Sequence, residues 1–150
     1  MIRIARARAA AVFDHPAFPP AALAAIFGVS VVAYSIVAGK HPLPDLFPDE
    51  MFYSKLSQSF AAGNGLSWRG TGWGLPPLWP MVLSLSWHTG SAPDGYAFAK
   101  VLGSVLASAT VLPVWLLGRE LVGPRLALVP AALCVTGAWM ETTAFLVSDN

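Results

Sequence analysis

Three long apolar segments separated by more polar stretches dominate the 150-residue sequence. Residues 20–39 carry no charge, residues 96–118 carry only Lys100, and residues 126–147 carry only Glu141. A helix of about 20 residues is about 30 Å long, which matches the hydrocarbon core of a bilayer. The pattern predicts an all-α polytopic membrane protein with three transmembrane helices.

The composition favours the same class. Hydrophobic residues make up 55% of the chain and charged residues 11%, whereas soluble domains carry about 25% charge. The net charge of +1 gives no indication of nucleic-acid binding. The single cysteine, Cys134, lies in an apolar segment and cannot form an intrachain disulfide.

Basic residues next to the apolar segments predict the orientation of the chain. Five arginines flank the start of the first segment and the turn between the second and third: Arg3, Arg6, Arg8, Arg119 and Arg125. Because short cytoplasmic flanks are enriched in Lys and Arg, we expect a cytoplasmic N-terminus in the cell membrane and an outer loop over 40–95. The Arg-rich start also fits a signal peptide, but the long apolar segment without a small-x-small cleavage site favours an uncleaved helix.

The outer loop begins with a helical pattern over residues 48–63. Asp49 could cap the start, and Gly63 could end the helix. Apolar residues recur at i, i+4 and i+8, at Phe52, Leu56 and Phe60. The spacing predicts an amphipathic helix that lies along the membrane surface with this stripe buried.

The rest of the outer loop is rich in Trp, Gly and Pro. Residues 75–85 are apolar but too few to span, so they predict a short helix at the membrane edge. Four tryptophans lie in the loop: Trp68, Trp73, Trp79 and Trp87. They fit an interfacial aromatic belt, and one or two of them could instead stack on a sugar or flank a lipid phosphate.

An ordered set of short motifs accompanies these elements. They are Asp49-Glu50, a Gly-x-Gly-Leu at 63–66, a Pro-Pro-Leu-aromatic-Pro at 76–80, the basic Lys100, the turn at 118–125, and Ser148-Asp149-Asn150. From about residue 20 to 150, this order resembles the N-terminal part of GT-C glycosyltransferases. The most similar branch is the protein O-mannosyltransferase and aminoarabinose-transferase-like group, which uses polyprenyl-phosphate sugars.

The resemblance implies roles for four residues. Asp49 takes the place of the catalytic carboxylate of the first outer loop, with Glu50 in support, and Asp149 that of a second acidic residue after the third span. Lys100 takes the place of a basic residue, often Arg, that can neutralise the lipid phosphate; lysine keeps the charge but loses the bidentate fork. The resemblance also implies further spans, without which this part is expected to be inactive.

The chemistry of sugar transfer suits these residue types. A carboxylate such as Asp49 can take the proton from an acceptor hydroxyl as it attacks the anomeric carbon. A cation stabilises the departing phosphate of the polyprenyl donor, and Lys100, Arg69 and Lys55 are available. A divalent metal between Asp49 and Asp149 is left open, since hard cations prefer oxygen ligands.

Each candidate also has a structural alternative. Asp49 could act only as a helix cap, and Glu50 could act only on the helix dipole. Lys100 could extend its amine to the membrane interface. Arg69 and Asp149 could be ordinary solvated residues.

Glu141 lies about six residues inside the end of the third segment, at a depth of about 9 Å. A charge at that depth favours a functional role facing a cavity of the bundle, unless the helix ends earlier. Two other protein classes stay open. One is a non-catalytic membrane subunit, and the other is a fragment of a transporter, which would more typically place polar groups near mid-membrane.

Overall fold

The computed structural model describes residues 15–40, 48–72, 74 and 76–137, and most of these are helical. The α-helices are α1 (Phe18–Gly39), α2 (Pro48–Ala61), α3 (Leu78–Leu83), α4 (Ala92–Ala109), α5 (Val111–Val122) and α6 (Leu128–Cys134). A 3₁₀ helix (Ser84–His88) follows α3. Strands β1 (Ser67–Trp68) and β2 (Thr71–Gly72) form an antiparallel hairpin. The mainly helical architecture agrees with the sequence prediction.

Two helices are long and apolar enough to cross a membrane. They are α1 and the 31-residue stretch Ala92–Val122, which consists of α4 and α5. On α1, Val29, Val32 and Ile36 are 59–70% exposed, as expected of side chains that meet lipid rather than water. Of the predicted third span, 126–147, the described residues contain only the short helix α6, which ends at Cys134; residues 138–147 lie outside the described residues.

The second apolar helix starts earlier than the sequence predicts. The side chain of Ser91 caps α4 by accepting a hydrogen bond from the Asp94 backbone N–H at 3.3 Å, so the helix begins at Ala92 rather than near Tyr96. Thr110 separates α4 from α5, three residues before Pro113. Because proline lacks an N–H and crowds the preceding turn, a break is expected there.

Small side chains line the contact between α1 and α4. Ala38 of α1 and Ala99 of α4 are at most 1% exposed, and the neighbouring serines Ser30, Ser104 and Ser108 are also buried. Two of these hydroxyls bond carbonyls of their own helix, as in Ser30 to Ile26 at 2.7 Å. Small residues let membrane helices approach closely, and the buried Ser108 hydroxyl has no hydrogen-bond partner among the described residues.

The described helices form a bundle with two distinct ends. The start of α1 and the turn between α5 and α6 lie together at one end, which we call the turn end. There Gly118 allows close packing, because a Cβ on it would lie 3.0 Å from the Cβ of Ala127. The C-terminus of α1 and the start of α4 meet at the other end, where Lys100 reaches Ala38. We call this the loop end.

Helix α2 packs on the loop end with a different face from the predicted one. Leu56 is 2% exposed, as predicted, but Phe52 and Phe60 are only half-buried. The buried face is centred instead on Glu50, Tyr53, Ser54 and Ser57. The predicted stripe is therefore wrong in part, because polar side chains of α2 find partners on α4 and the 3₁₀ helix.

A small aromatic core joins α2 to the start of α4. Tyr53, Leu83, Tyr96 and Ala99 are buried there, and Trp79 and Trp87 pack against them. The Trp87 indole N–H donates to the Ser57 hydroxyl at 2.6 Å. The loop helices are thus attached to the bundle rather than loosely tethered.

Candidate functional site

Three side chains from two helices converge at the loop end. Glu50, in the first turn of α2, is fully buried, and its carboxylate accepts a hydrogen bond from the Tyr96 hydroxyl of α4. Lys100 lies one turn further along α4 and is 4% exposed, with its Nζ 4.6 Å from the centre of the Tyr96 ring. The charges of Glu50 and Lys100 interact. We call these three residues the Glu50 cluster.

Lys100 also connects the cluster to α1. Its Nζ donates to the carbonyl of Ala38, near the end of α1, at 3.4 Å. The Glu50 cluster therefore links α1, α2 and α4 at one point. Buried charges persist only when they are paired and hydrogen-bonded, so the partners hold the N-terminus of α2 in a defined position and rotation.

Asp49 occupies a different environment from its neighbour. It is exposed and lies in the first turn of α2, which begins at Pro48. Consecutive helical residues point about 100° apart, so anchoring Glu50 inward directs Asp49 outward. A solvent-accessible carboxylate is thus held at a fixed place beside the bundle.

A polar depression of about 560 Å³ lies at the β-hairpin, with Lys55, Asn64, Trp68 and Arg69 among its lining residues. Arg69 has φ 53° and Gly70 φ 81°, as a tight two-residue hairpin turn requires. The Arg69 guanidinium lies 5.0 Å from the Trp68 ring centre. A non-glycine residue with positive φ is unusual and costs backbone strain, so the turn positions this cation at some cost.

The structure brings together some of the predicted site residues and separates others. Glu50 and Lys100 meet, although the sequence predicted separate roles for them. Lys55 follows Glu50 by five residues, so it lies about 140° around α2, and it lines the depression with Arg69 on a face away from the cluster. Asp149 and Glu141 lie outside the described residues, and their roles stay predictions.

Sequence reasoning missed Tyr96, which it treated only as the start of a span. The available signal is the i, i+4 spacing of Tyr96 and Lys100, which places both on one face of α4. Within the described parts of the chain, no group of three or more His, Cys, Asp or Glu side chains could hold a metal. The predicted metal pair includes Asp149, so the described residues do not test it.

Comparison with known proteins adds no assignment. No protein-family model matches the chain, and no curated protein or solved structure matches it significantly. The features of this chain that bear on its function are the Glu50 cluster, the exposed Asp49 and the polar depression, together with the order of motifs in the sequence.

Proposed function

We propose that this chain is the N-terminal part of a membrane glycosyltransferase that moves a sugar from a polyprenyl-phosphate donor to an acceptor outside the cytoplasm. The observation that carries the proposal is the contrast between two adjacent carboxylates. Glu50 is buried against Tyr96 and Lys100, while Asp49 is exposed at the same helix terminus. One carboxylate fixes the helix, and the other is free of that role and open to substrate.

In this proposal Asp49 is the catalytic residue and Glu50 is a positioning residue. The acceptor hydroxyl transfers its proton to the Asp49 carboxylate as its oxygen forms a bond to the anomeric carbon. The bond from that carbon to the phosphate oxygen breaks, and the polyprenyl phosphate leaves with the electron pair. Because the general base must lie within hydrogen-bond reach of the hydroxyl, the anchored Glu50 serves catalysis by holding Asp49 still.

We propose that exposed cations, rather than the buried Lys100, bind the phosphate of the polyprenyl donor. Lys100 is buried beside Glu50, so its charge mainly supports that carboxylate. Arg69 and Lys55 line an open depression at the same helix, where a cation can stabilise the departing phosphate. Asp149 and Glu141 complete the proposed site as a second outer carboxylate and a cavity-lining acid.

The proposed topology has three spans in the cell membrane, with the N-terminus cytoplasmic and α2, α3 and the hairpin outside. Its support is the common location of the α1 start and the α5–α6 turn at the turn end, because Arg119 and Arg125 flank that turn in the sequence and three further arginines precede α1. The polar Glu50 cluster lies at the opposite end of α1, not halfway along it. A transporter would more typically concentrate such groups at mid-membrane.

Transfer of a labelled sugar from polyprenyl phosphate tests this proposal, using membranes that contain the full-length protein. We expect transfer with the natural chain and almost none with Asp49→Asn. A non-catalytic subunit is the competing function, since the Glu50 cluster alone would also suit a docking scaffold. Normal transfer by Asp49→Asn, at equal expression, would favour the subunit.

A further inference from the structure

A second cavity lies at the turn end, far from the Glu50 cluster. It measures about 510 Å³ and opens between the start of α1 and the α5–α6 turn. This volume is within the range of about 300–1,000 Å³ typical of small-molecule sites. We call it the turn-end cleft.

The walls of the turn-end cleft are mainly apolar. Pro16, Pro19, Trp115 and Leu126 line it. The indole N–H of Trp115 donates to the Pro124 carbonyl at 3.0 Å, so the ring presents its apolar surface without an unsatisfied donor. Such walls favour a hydrocarbon chain over a polar ligand.

The mouth of the cleft is basic. Arg125 is exposed and lines the cleft. Arg119 extends its guanidinium to 5.5 Å from the Trp115 ring centre, where it also bonds Glu120 at 3.1 Å. Among the described Arg, Lys, Asp and Glu residues at this mouth, two arginines and one glutamate leave a net charge of +1 beside an apolar cavity. This pairing suits a ligand with a hydrocarbon tail and an anionic head.

The cleft also lies at the right place for such a ligand. It adjoins the N-terminal end of α1 and the C-terminal end of Ala92–Val122, the two span-length helices. Ends of membrane helices meet the headgroup layer of the bilayer. Basic pockets between such helix ends attract the head groups of anionic lipids.

We propose that the turn-end cleft binds an anionic phospholipid, with an acyl chain against Trp115 and Leu126 and the phosphate beside Arg125. This site is independent of the proposed sugar transfer and requires only that the helices lie in a membrane. A neutral phospholipid would pack its acyl chain against the apolar walls but would bring no net negative charge to the basic mouth. A soluble phosphate ester would bring the negative charge but no acyl chain for the walls.

Native mass spectrometry of the intact chain in detergent tests the proposal by measuring the binding of single lipids. Phosphatidylglycerol and phosphatidylcholine with identical acyl chains are titrated separately. We expect phosphatidylglycerol to bind about fivefold more tightly, the effect of about one basic residue at a charged interface. Equal affinities would overturn the proposal.

Two variants locate the site, and one serves as a control. Arg125→Gln should abolish the preference for phosphatidylglycerol while leaving phosphatidylcholine binding unchanged. Leu126→Trp should weaken both lipids, because the larger ring fills the cleft. Lys40→Gln removes an exposed cation at the opposite end of α1 and should keep the preference, with circular dichroism confirming that all three variants fold.

The remaining outcomes decide against the cleft. If Lys40→Gln loses as much of the preference for phosphatidylglycerol as Arg125→Gln does, the preference depends on the net charge of the protein and not on the cleft. If Leu126→Trp leaves both affinities unchanged, the acyl chain lies elsewhere. If glycerol phosphate competes as well as phosphatidylglycerol at equal concentration, the site recognises a soluble phosphate and not a lipid.

Discussion

At the residue scale, the adjacent pair Asp49-Glu50 shows what the sequence could and could not predict. The sequence predicted that the two acidic residues lie at the start of a surface helix, and a helix does begin there. It favoured Asp49 as the functional carboxylate but could not show that Glu50 is buried. That outcome depends on the rotation of α2, which Tyr96 and Lys100 determine from a point 46 residues or more away.

Removing one charge of the Glu50 cluster should destabilise the fold. Glu50→Gln keeps an acceptor for Tyr96 but leaves Lys100 buried without its counter-charge, which costs about 3–5 kcal/mol. Adding Lys100→Met should restore more than half of the loss, because no lone charge is then buried. Unfolding titrations in detergent measure the free energy of unfolding of the single and the double variant. Asp49→Asn, at an exposed position, is the control, and its free energy of unfolding should stay within about 0.5 kcal/mol of the natural protein. Strictly additive losses would show that the two charges are not coupled.

At the element scale, periodicity predicted where helices lie better than which face each buries. The run at 75–85 was expected to form a short helix, and α3 with its 3₁₀ extension occupies 78–88. The stripe of Phe52, Leu56 and Phe60 was only partly buried, since Ser57 bonds Trp87 and turns the helix. Such pairings between distant polar side chains leave no periodic signal.

The contact between α4 and the 3₁₀ helix depends on the absence of a side chain at Gly95. A Cβ there would lie 2.5 Å from Cε3 of Trp87, and Trp87 cannot move without losing its bond to Ser57. Gly95→Ala should therefore destabilise the protein by about 1–3 kcal/mol.

Gly103→Ala provides the matched control on the same helix, because its nearest neighbour would be an ordinary contact at 3.8 Å. Alanine is the better helix former by up to about 1 kcal/mol, so this variant should be neutral or stabilised. Thermal unfolding of both variants checks the pair. Equal stability of the two would mean that Trp87 does not pack on α4 as described.

At the scale of the whole molecule, the sequence predicted an apolar helical protein, and two span-length helices agree with it. The chain runs from the turn end to the loop end along α1 and returns along α4 and α5. The alternation of apolar and polar segments in the sequence already indicated these two crossings. Which end faces the cytoplasm depends on the distribution of basic residues, a property of the flanks rather than of the packing.

Accessibility of single cysteines tests the orientation. In a Cys134→Ala background, we expect Thr71→Cys to react with an impermeant thiol reagent in intact cells, because the proposed topology has the hairpin outside. Glu120→Cys, near the other end, should react only after permeabilisation. Both positions are exposed. Labelling of position 120 in intact cells, with position 71 protected, would show that the orientation is the opposite of the proposed one.

The central claim is that Asp49 removes the acceptor proton during sugar transfer. Transfer of sugar from a labelled polyprenyl-phosphate donor by the full-length protein tests it most directly, comparing Asp49→Asn with Asp94→Asn. Asp94 is also an exposed carboxylate in the first turn of a helix at the loop end, so its substitution controls for the loss of a negative charge from a helix N-terminus. We predict that the rate of sugar transfer falls at least about a hundredfold for Asp49→Asn and changes little for Asp94→Asn. The stability of the Asp49→Asn protein should be unchanged. Near-normal transfer by Asp49→Asn would contradict the account.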